Sequence, residues 1–236
     1  SKDGKQLVFL TDKDDYAAEN PAWSIYRWTQ GGKQAKVMVA PDTKGIPKGW
    51  LISNKSAPRF AENGKRVFFN THPKPVAQEK KEDAEEKKQA KLDVWHWQDM
   101  FLQPQQLLQV QREKDRSFQA VYDVAKRKAM QLANPEIPAV VIDPRSESQW
   151  ALGIAPDQYN KMRSWDIQSY SDWYLFDLKT GKKHLVRKMT RGTASLSPAG
   201  RYMVWWDGEK RTWLALPTAL PGKKAVADIE PTDLGK

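Results

Sequence analysis

A chain of 236 residues with 39% hydrophobic residues and a mean hydropathy of −0.76 is polar for a globular protein, and its 11 tryptophans, 7 tyrosines and 7 phenylalanines must supply much of its core. At roughly 150–250 Å² buried per aromatic ring, that content excludes a largely disordered chain. The absence of cysteine excludes disulfides, thiolate catalysis and cysteine-held metals, no apolar run approaches the ~18 residues of a membrane span, and the formal charge of +10 is scattered over predicted turns rather than gathered into the stripe of a nucleic-acid binder.

The first residues, SKDGKQLVFL (1–10), read as a turn running into a strand, and as neither a signal peptide nor a natural start, so the chain is expected to be part of something longer. The same pattern returns in AENGKRVFFN (61–70) and SPAGRYMVWW (197–206), each with a small residue, a glycine three positions on, a basic residue and an apolar run. A fourth copy, RSESQWALGI (145–154), lacks the turn glycine. Asp-Gly and Asn-Gly supply the positive φ of a tight turn, and the apolar run reads as a buried strand.

A second pattern lies between these copies. AWSIYRWTQGGKQAKVMV (22–39), FQAVYDVAKRKAMQLA (118–133) and DWYLFDLKTGKKHLVRK (172–188) each give an aromatic-rich strand, a short turn and another strand. Joined, the two patterns make a four-stranded antiparallel unit returning every ~40–60 residues, the signature of a β-propeller blade. The predicted fold is therefore all-β, a partial ring of four to five blade units in a single domain over 1–236. Residues 1–40 hold strands two to four of a first unit and 56–110 a second. A poorly delimited unit runs on to 133, a fourth spans 137–188, and 193–229 begins a fifth. No helix is expected outside 78–91, so MFLQPQQLLQVQ (100–111) has to finish one blade and start another.

The loops between strands two and three are long in three units, at 11–22, 71–91 and 157–171, and in a blade such loops project from one face of the ring. Long loops in a compact fold form lids, binding surfaces or partner contacts. Within the charged insertion at 72–91, the stretch QEKKEDAEEKKQAK (78–91) carries five basic and five acidic residues and no apolar face. It reads as a solvated helix about 20 Å long or as a disordered arm. Next to it, LDVWHWQDM (92–100) reads as a third strand, with Val94, His96 and Gln98 on one face and Trp95 and Trp97 on the other. His96 is then a structural histidine.

Catalytic motifs are missing. No glycine has a serine two positions on, so there is no G-x-S-x-G elbow, and no phosphate loop occurs. His72, His96 and His184 are too scattered for a local metal motif, and Asp14-Asp15 is a loop pair. No cofactor or metal is expected, and the chain by itself is not expected to be an enzyme. The remaining candidates for contact with a substrate or partner lie in MRSWDIQSY (162–170): Arg163, Trp165, Asp166 and Tyr170. Trp165 is expected either to cap a neighbouring blade or to touch a ligand. Most other tryptophans (Trp23, Trp28, Trp95, Trp97, Trp173, Trp205, Trp206, Trp213) fall in predicted strands, where core packing is expected rather than sugar stacking.

The ordered series LDVWHWQDMFLQPQQ, RSFQAVYDV…QLA, SWDIQSYSDWYLFDLKTGKKHLV and ASLSPAGRYMVWWD, covering about 56–216, resembles the β-propeller of bacterial serine peptidases of the prolyl oligopeptidase family, particularly the dipeptidyl- and acylaminoacyl-peptidase-like members. The S-P-x-G-[KR]-Y hairpin alone is also shared with TolB-like propellers. The resemblance implies a propeller that precedes an α/β-hydrolase domain with a Ser-Asp-His triad and screens access to it. It thus implies peptide substrates and a C-terminal hydrolase domain in cis. No residue of this chain matches that catalytic domain, so no triad residue is assigned. The alternative is a TolB-like or lectin-like propeller that binds protein or glycan through the same face. A nucleic-acid reading would rest on charge alone and predicts steeply salt-dependent affinity; nucleic acid is not expected as a partner. Open blade edges expose unpaired strands, so self-association is expected, as is a periplasmic or secreted location.

Overall fold

The computed structural model describes residues 1–236 except 19, 76–95, 144, 146, 220–228 and 236. The charged stretch 78–91, Val94 and Trp95 therefore lie outside the described residues. Four antiparallel sheets follow one another along the chain. The first holds β1 (Gln6–Thr11), β2 (Ser24–Thr29) and β3 (Lys36–Val39). The second is built from β4 (Trp50–Ile52), β5 (Arg59–Phe60), β6 (Arg66–Pro73), β7 (Phe118–Asp123) and β8 (Lys128–Gln131), with β4 and β5 pairing along the same edge of β6. In the third, β9 (Ala139–Val141), β10 (Trp150–Ala155), β11 (Tyr170–Asp177) and β12 (Lys183–Arg191) form a meander. The fourth repeats it with β13 (Ala194–Leu196), β14 (Tyr202–Asp207), β15 (Thr212–Pro217) and β16 (Thr232–Asp233). Among the described residues no helix is long and apolar enough to cross a membrane.

Period-two alternation decides how the sheets stack. In β6, Val67 and Phe69 face the first sheet, where they pack with Ile25 and Val39, while Phe68 faces the third. Likewise Ala120 and Tyr122 of β7 point one way and Val121 the other. In the third sheet, Ala151 and Phe176 pack toward the second, whereas Leu152, Trp173 and Leu175 meet Met203, Trp205 and Leu216 of the fourth. Each inner sheet is thus apolar on both faces because each face is covered by a different neighbour. With roughly 1.5–3 kcal/mol for each fully buried large side chain, these three layers of core hold the stack together. Among the described residues, each end sheet has one face with no sheet against it, marked by half-exposed Leu7 and Val37 at one end and Trp206 and Trp213 at the other. The fold is a β-propeller of antiparallel blades forming part of a ring.

All three copies of the first repeat, and the degraded fourth, become strand two of a blade: β1, β6, β14 and β10. Their turn glycines Gly4, Gly64 and Gly200 adopt nearly the same φ, 68°, 67° and 65°. Gly200 is required twice over, because a Cβ there would also lie 1.8 Å from Ser148 Oγ of the preceding blade. These turns touch in succession: Lys2 pairs with Glu62 at 2.9 Å, Asn63 Nδ2 donates to Glu147, and Ser148 meets Gly200. They therefore line one rim of the stack. All copies of the second repeat become strands three and four, β2–β3, β7–β8 and β11–β12.

Two parts of the sequence reading are corrected. The described residues form four blades, within the expected four to five, and the boundary drawn between 56–110 and the segment to 133 is what changes: the two form one sheet whose strands β6 and β7 are separated by residues 74–117. Inside that insertion, 100–111 does not bridge two blades but enters a helix, α1 (Gln103–Lys114). Pro104 near the start of the helix, Arg112 and Lys114 in its last turn, and Gln105 Oε1 accepting from the Leu102 N–H at 3.1 Å all favour it.

Candidate functional site

Opposite the rim of short turns, the connections between strands two and three are long in the first three blades and only a turn (208–211) in the fourth. The insertions meet one another. Asp115 and Arg116, at the end of the second, line a cleft of about 330 Å³ with Asn20 and Pro21 of the first. Arg116 also joins Asp157 of the third at 3.0 Å. Burial works against the charge of Arg116, but its bonds to Asp157 and Glu113 outweigh that and hold it firmly cationic.

The third insertion begins as a 3-10 helix, Asp157–Ser164, clamped to its blade by Asp172 of β11. Tyr159 Oη and the Met189 N–H donate to Asp172 Oδ1 at 2.7 and 2.8 Å, and Gln158 Nε2 donates to Oδ2 at 2.6 Å. Asp166 accepts from the Gln168 N–H at 2.9 Å and from Tyr170 Oη at 2.9 Å, and these bonds lower its pKa. Tyr170 Oη in turn accepts from Arg191 Nε and Nη2 at 3.1 and 2.8 Å. Of the four candidate residues, Asp166 and buried Tyr170 are thus joined in one chain of bonds that shapes the loop. Arg163 lies apart, lining two adjoining clefts of about 980 and 420 Å³ between α1 and the 3-10 helix. Trp165 caps no blade and is 71% exposed.

The stretch 96–100 is an exposed turn, not a strand. The ring of Trp97 is 68% exposed and lies under Lys161 Nζ, 4.8 Å from its centroid, and His96 accepts from the Gln98 N–H through Nδ1. Core packing holds for Trp173 and Trp205, but Trp206 and Trp213 are about half exposed on the outer face of the last sheet.

Sequence reasoning missed the apolar character of this face. Helix α1 buries none of its residues; Leu107 is exposed and Leu108 is 86% exposed. Met100 and Leu102 just before the helix are exposed too, as is Ile167 in the third insertion, at 98%. The signal was present in QPQQLLQVQREK, a proline followed by Leu-Leu-x-Val, once it is read as a helix. Electrostatically the large cleft is one-sided. Glu113 and Asp157 are bound by Arg116, and Asp115 by Lys55 at 2.8 Å. Arg112 and Arg163, both on its wall, have no ion-pair partner among the described residues.

No family model matches the sequence, and no curated protein matches it. Among solved structures the chain is similar to TolB from Acinetobacter baumannii at 14% identity and a TM-score of 0.31, over 94% of this chain and 42% of that one. It is similar to the tricorn protease at 10% identity and 0.37, over 99% and 22%. A puromycin-hydrolyzing peptidase of Mycobacterium tuberculosis aligns at 12% identity and 0.33, over 96% and 26%. The chain spans less than half the length of each of these structures.

Proposed function

We propose that this chain is the propeller part of a larger serine peptidase, and that its insertion-bearing face docks against a hydrolase domain of the same polypeptide and restricts the passage of peptides to it. The observation that carries the docking half is the helix α1, which covers none of its own apolar side chains. Twelve-residue helices are marginal alone, and an exposed apolar surface of several large side chains marks an interaction site. The hydrolase half rests on the sequence resemblance. The unpaired Arg112 and Arg163 give the adjoining cleft a preference for carboxylate-bearing peptides. A periplasmic or secreted location goes with this reading.

Two measurements test it. The reading frame beyond Lys236 is expected to encode G-x-S-x-G and a later histidine; a frame without them removes the peptidase. In the full polypeptide, Leu107→Asp with Leu108→Asp is expected to change propeller stability by less than about 0.5 kcal/mol. It should raise the cleavage of folded proteins relative to short peptides about tenfold, equivalent to roughly 1.4 kcal/mol of lost docking. An unchanged ratio rejects the gate. The exposed indoles of Trp97 and Trp165 favour the second reading, a propeller that binds glycan or protein; saturable glycan binding lost in Trp165→Ala, without any hydrolase downstream, would establish it instead.

A further inference from the structure

On the opposite side of the first two blades, away from the insertions, a cleft of about 620 Å³ opens between the hairpin turns β2–β3 and β7–β8. Its walls carry Arg27, Lys36 and Arg127 and, among the described residues, no carboxylate. Arg27 and Lys36 are directly opposed across the β2–β3 ladder, where like charges destabilise. Arg127 comes from the next blade on a left-handed backbone, φ 50°, a conformation that non-glycine residues adopt at a cost. Arg27 Nε is buried and has no hydrogen-bond partner among the described residues, and buried donors in folded proteins are almost always satisfied.

Neighbouring groups offset this positive charge only in part. Asp123, the carboxylate nearest in sequence, accepts from the N–H groups of Ala125 and Lys126 in its own turn. Tyr122, on the cleft wall, has its phenol pKa raised first by burial and also by the nearby Asp123, while Arg127 and Arg27 both pull it the other way. Both guanidinium groups are therefore within electrostatic reach of one hydroxyl donor. Thr29 and Gln34 add further donors to the lining. Trp28 Nε1 donates to the Gly32 carbonyl at 2.8 Å and closes the β2–β3 turn, which carries the cleft residue Gly32.

We infer that this cleft binds a small multivalent oxyanion, held by Arg27, Lys36 and Arg127 with Tyr122 as a neutral donor. Three cations facing one space match an anion of two or more charges, because charge-assisted bonds to guanidinium groups are the strong ones. The volume leaves room for an organic remainder beside the anionic group. The site is separate from the docking face, so the two readings stand or fall independently.

The test is isothermal titration of the chain with pyrophosphate, inorganic phosphate and citrate at constant ionic strength, chloride serving as the reference so that screening cancels. Saturable binding at one site per chain is expected, with pyrophosphate tighter than phosphate; citrate binding as tightly as pyrophosphate would make the ligand class carboxylate rather than phosphate. Lys36→Gln and Arg127→Gly are each expected to weaken binding about tenfold. The glycine variant removes the charge while easing the backbone, so it should fold at least as well as the parent. Arg112→Gln, on the far face, should leave the affinity unchanged. Absence of saturable binding to all three anions overturns the inference. Equal affinity in Lys36→Gln and Arg127→Gly, or loss in Arg112→Gln, overturns it as well.

Discussion

Trp173→Ala is expected to destabilise the chain by about 3–5 kcal/mol and to free the fourth blade from the third. The indole is fully buried. Its ring stands edge-on to Trp205 of the next blade with centroids 5.8 Å apart, and Leu152, Met203 and Leu216 close around the pair. Its Nε1–H is satisfied locally by Ser171 Oγ at 2.9 Å, so truncation leaves a cavity and one hydroxyl without its donor. Because the core is divided into three layers, the loss falls on one of them. A second, earlier urea transition is therefore expected, followed by loss of the Trp205 fluorescence environment, while the first two blades unfold as before. Trp205→Ala should act alike, and the double variant should cost less than the sum, with a coupling of about 0.5–1.5 kcal/mol for the ring pair. A single transition shifted by under 1 kcal/mol would show that the interface does not depend on this contact.

That interface was legible in the sequence because it obeys period two. Trp173 and Leu175 alternate with Tyr174 and Phe176 along a strand buried on both faces, and the glycine turns announced strand two of each blade. What failed has a common physical cause. The segment 96–114 packs against little, so no core pattern constrains it: Trp97 is aromatic yet exposed, and Leu107 and Leu108 are apolar yet uncovered. A reading that equates aromatic residues with buried strands therefore misplaced residues 96–100 and overlooked α1, where proline at the helix start was the better signal. The boundary drawn inside the second blade slipped for the same reason, since an insertion of 74–117 between two hydrogen-bonded strands looks like a blade boundary when its helix is not seen. Of the four candidate residues, the spacing of Asp166 and Tyr170 let them bond directly, whereas the solvent exposure of Trp165 was not encoded in its neighbours. The partners that matter most to the loop, Asp172 and Arg191, lie in or beyond the following strand and become visible only once β11 and β12 pair.

Asp172→Ala is expected to be as damaging as the loss of Trp173, at about 3–5 kcal/mol, since hydrogen bonds to a charged group are worth about 1.5–3 kcal/mol each and orphaned buried donors add to the loss. The carboxylate is buried and accepts from Tyr159, Gln158 and the Met189 N–H. It thereby fastens the 3-10 helix of the third insertion and the left-handed Met189, φ 48°, in the irregular β11–β12 ladder. Asp172→Asn keeps one acceptor oxygen but turns an amide donor toward existing donors, so an intermediate cost is expected. Tyr159→Phe removes one bond and should cost about 1.5 kcal/mol, the low end for a bond to a charged group. Alkaline pH gives an independent check. Burial, then the bond to Asp172, pushes the Tyr159 phenol up to about 12 from its ordinary 10. The unfolded chain therefore releases this proton first, so the contribution is fully present below pH 10 and is lost between pH 10 and about 12. The stability difference between the parent and Tyr159→Phe, measured by urea denaturation from pH 8 upward, should stay constant to pH 10 and shrink above it. A difference that is flat across that range would mean that Asp172 does not hold Tyr159, and Arg163 and Trp165 at the end of the same helix would then lack the anchor that positions them on the insertion-bearing face.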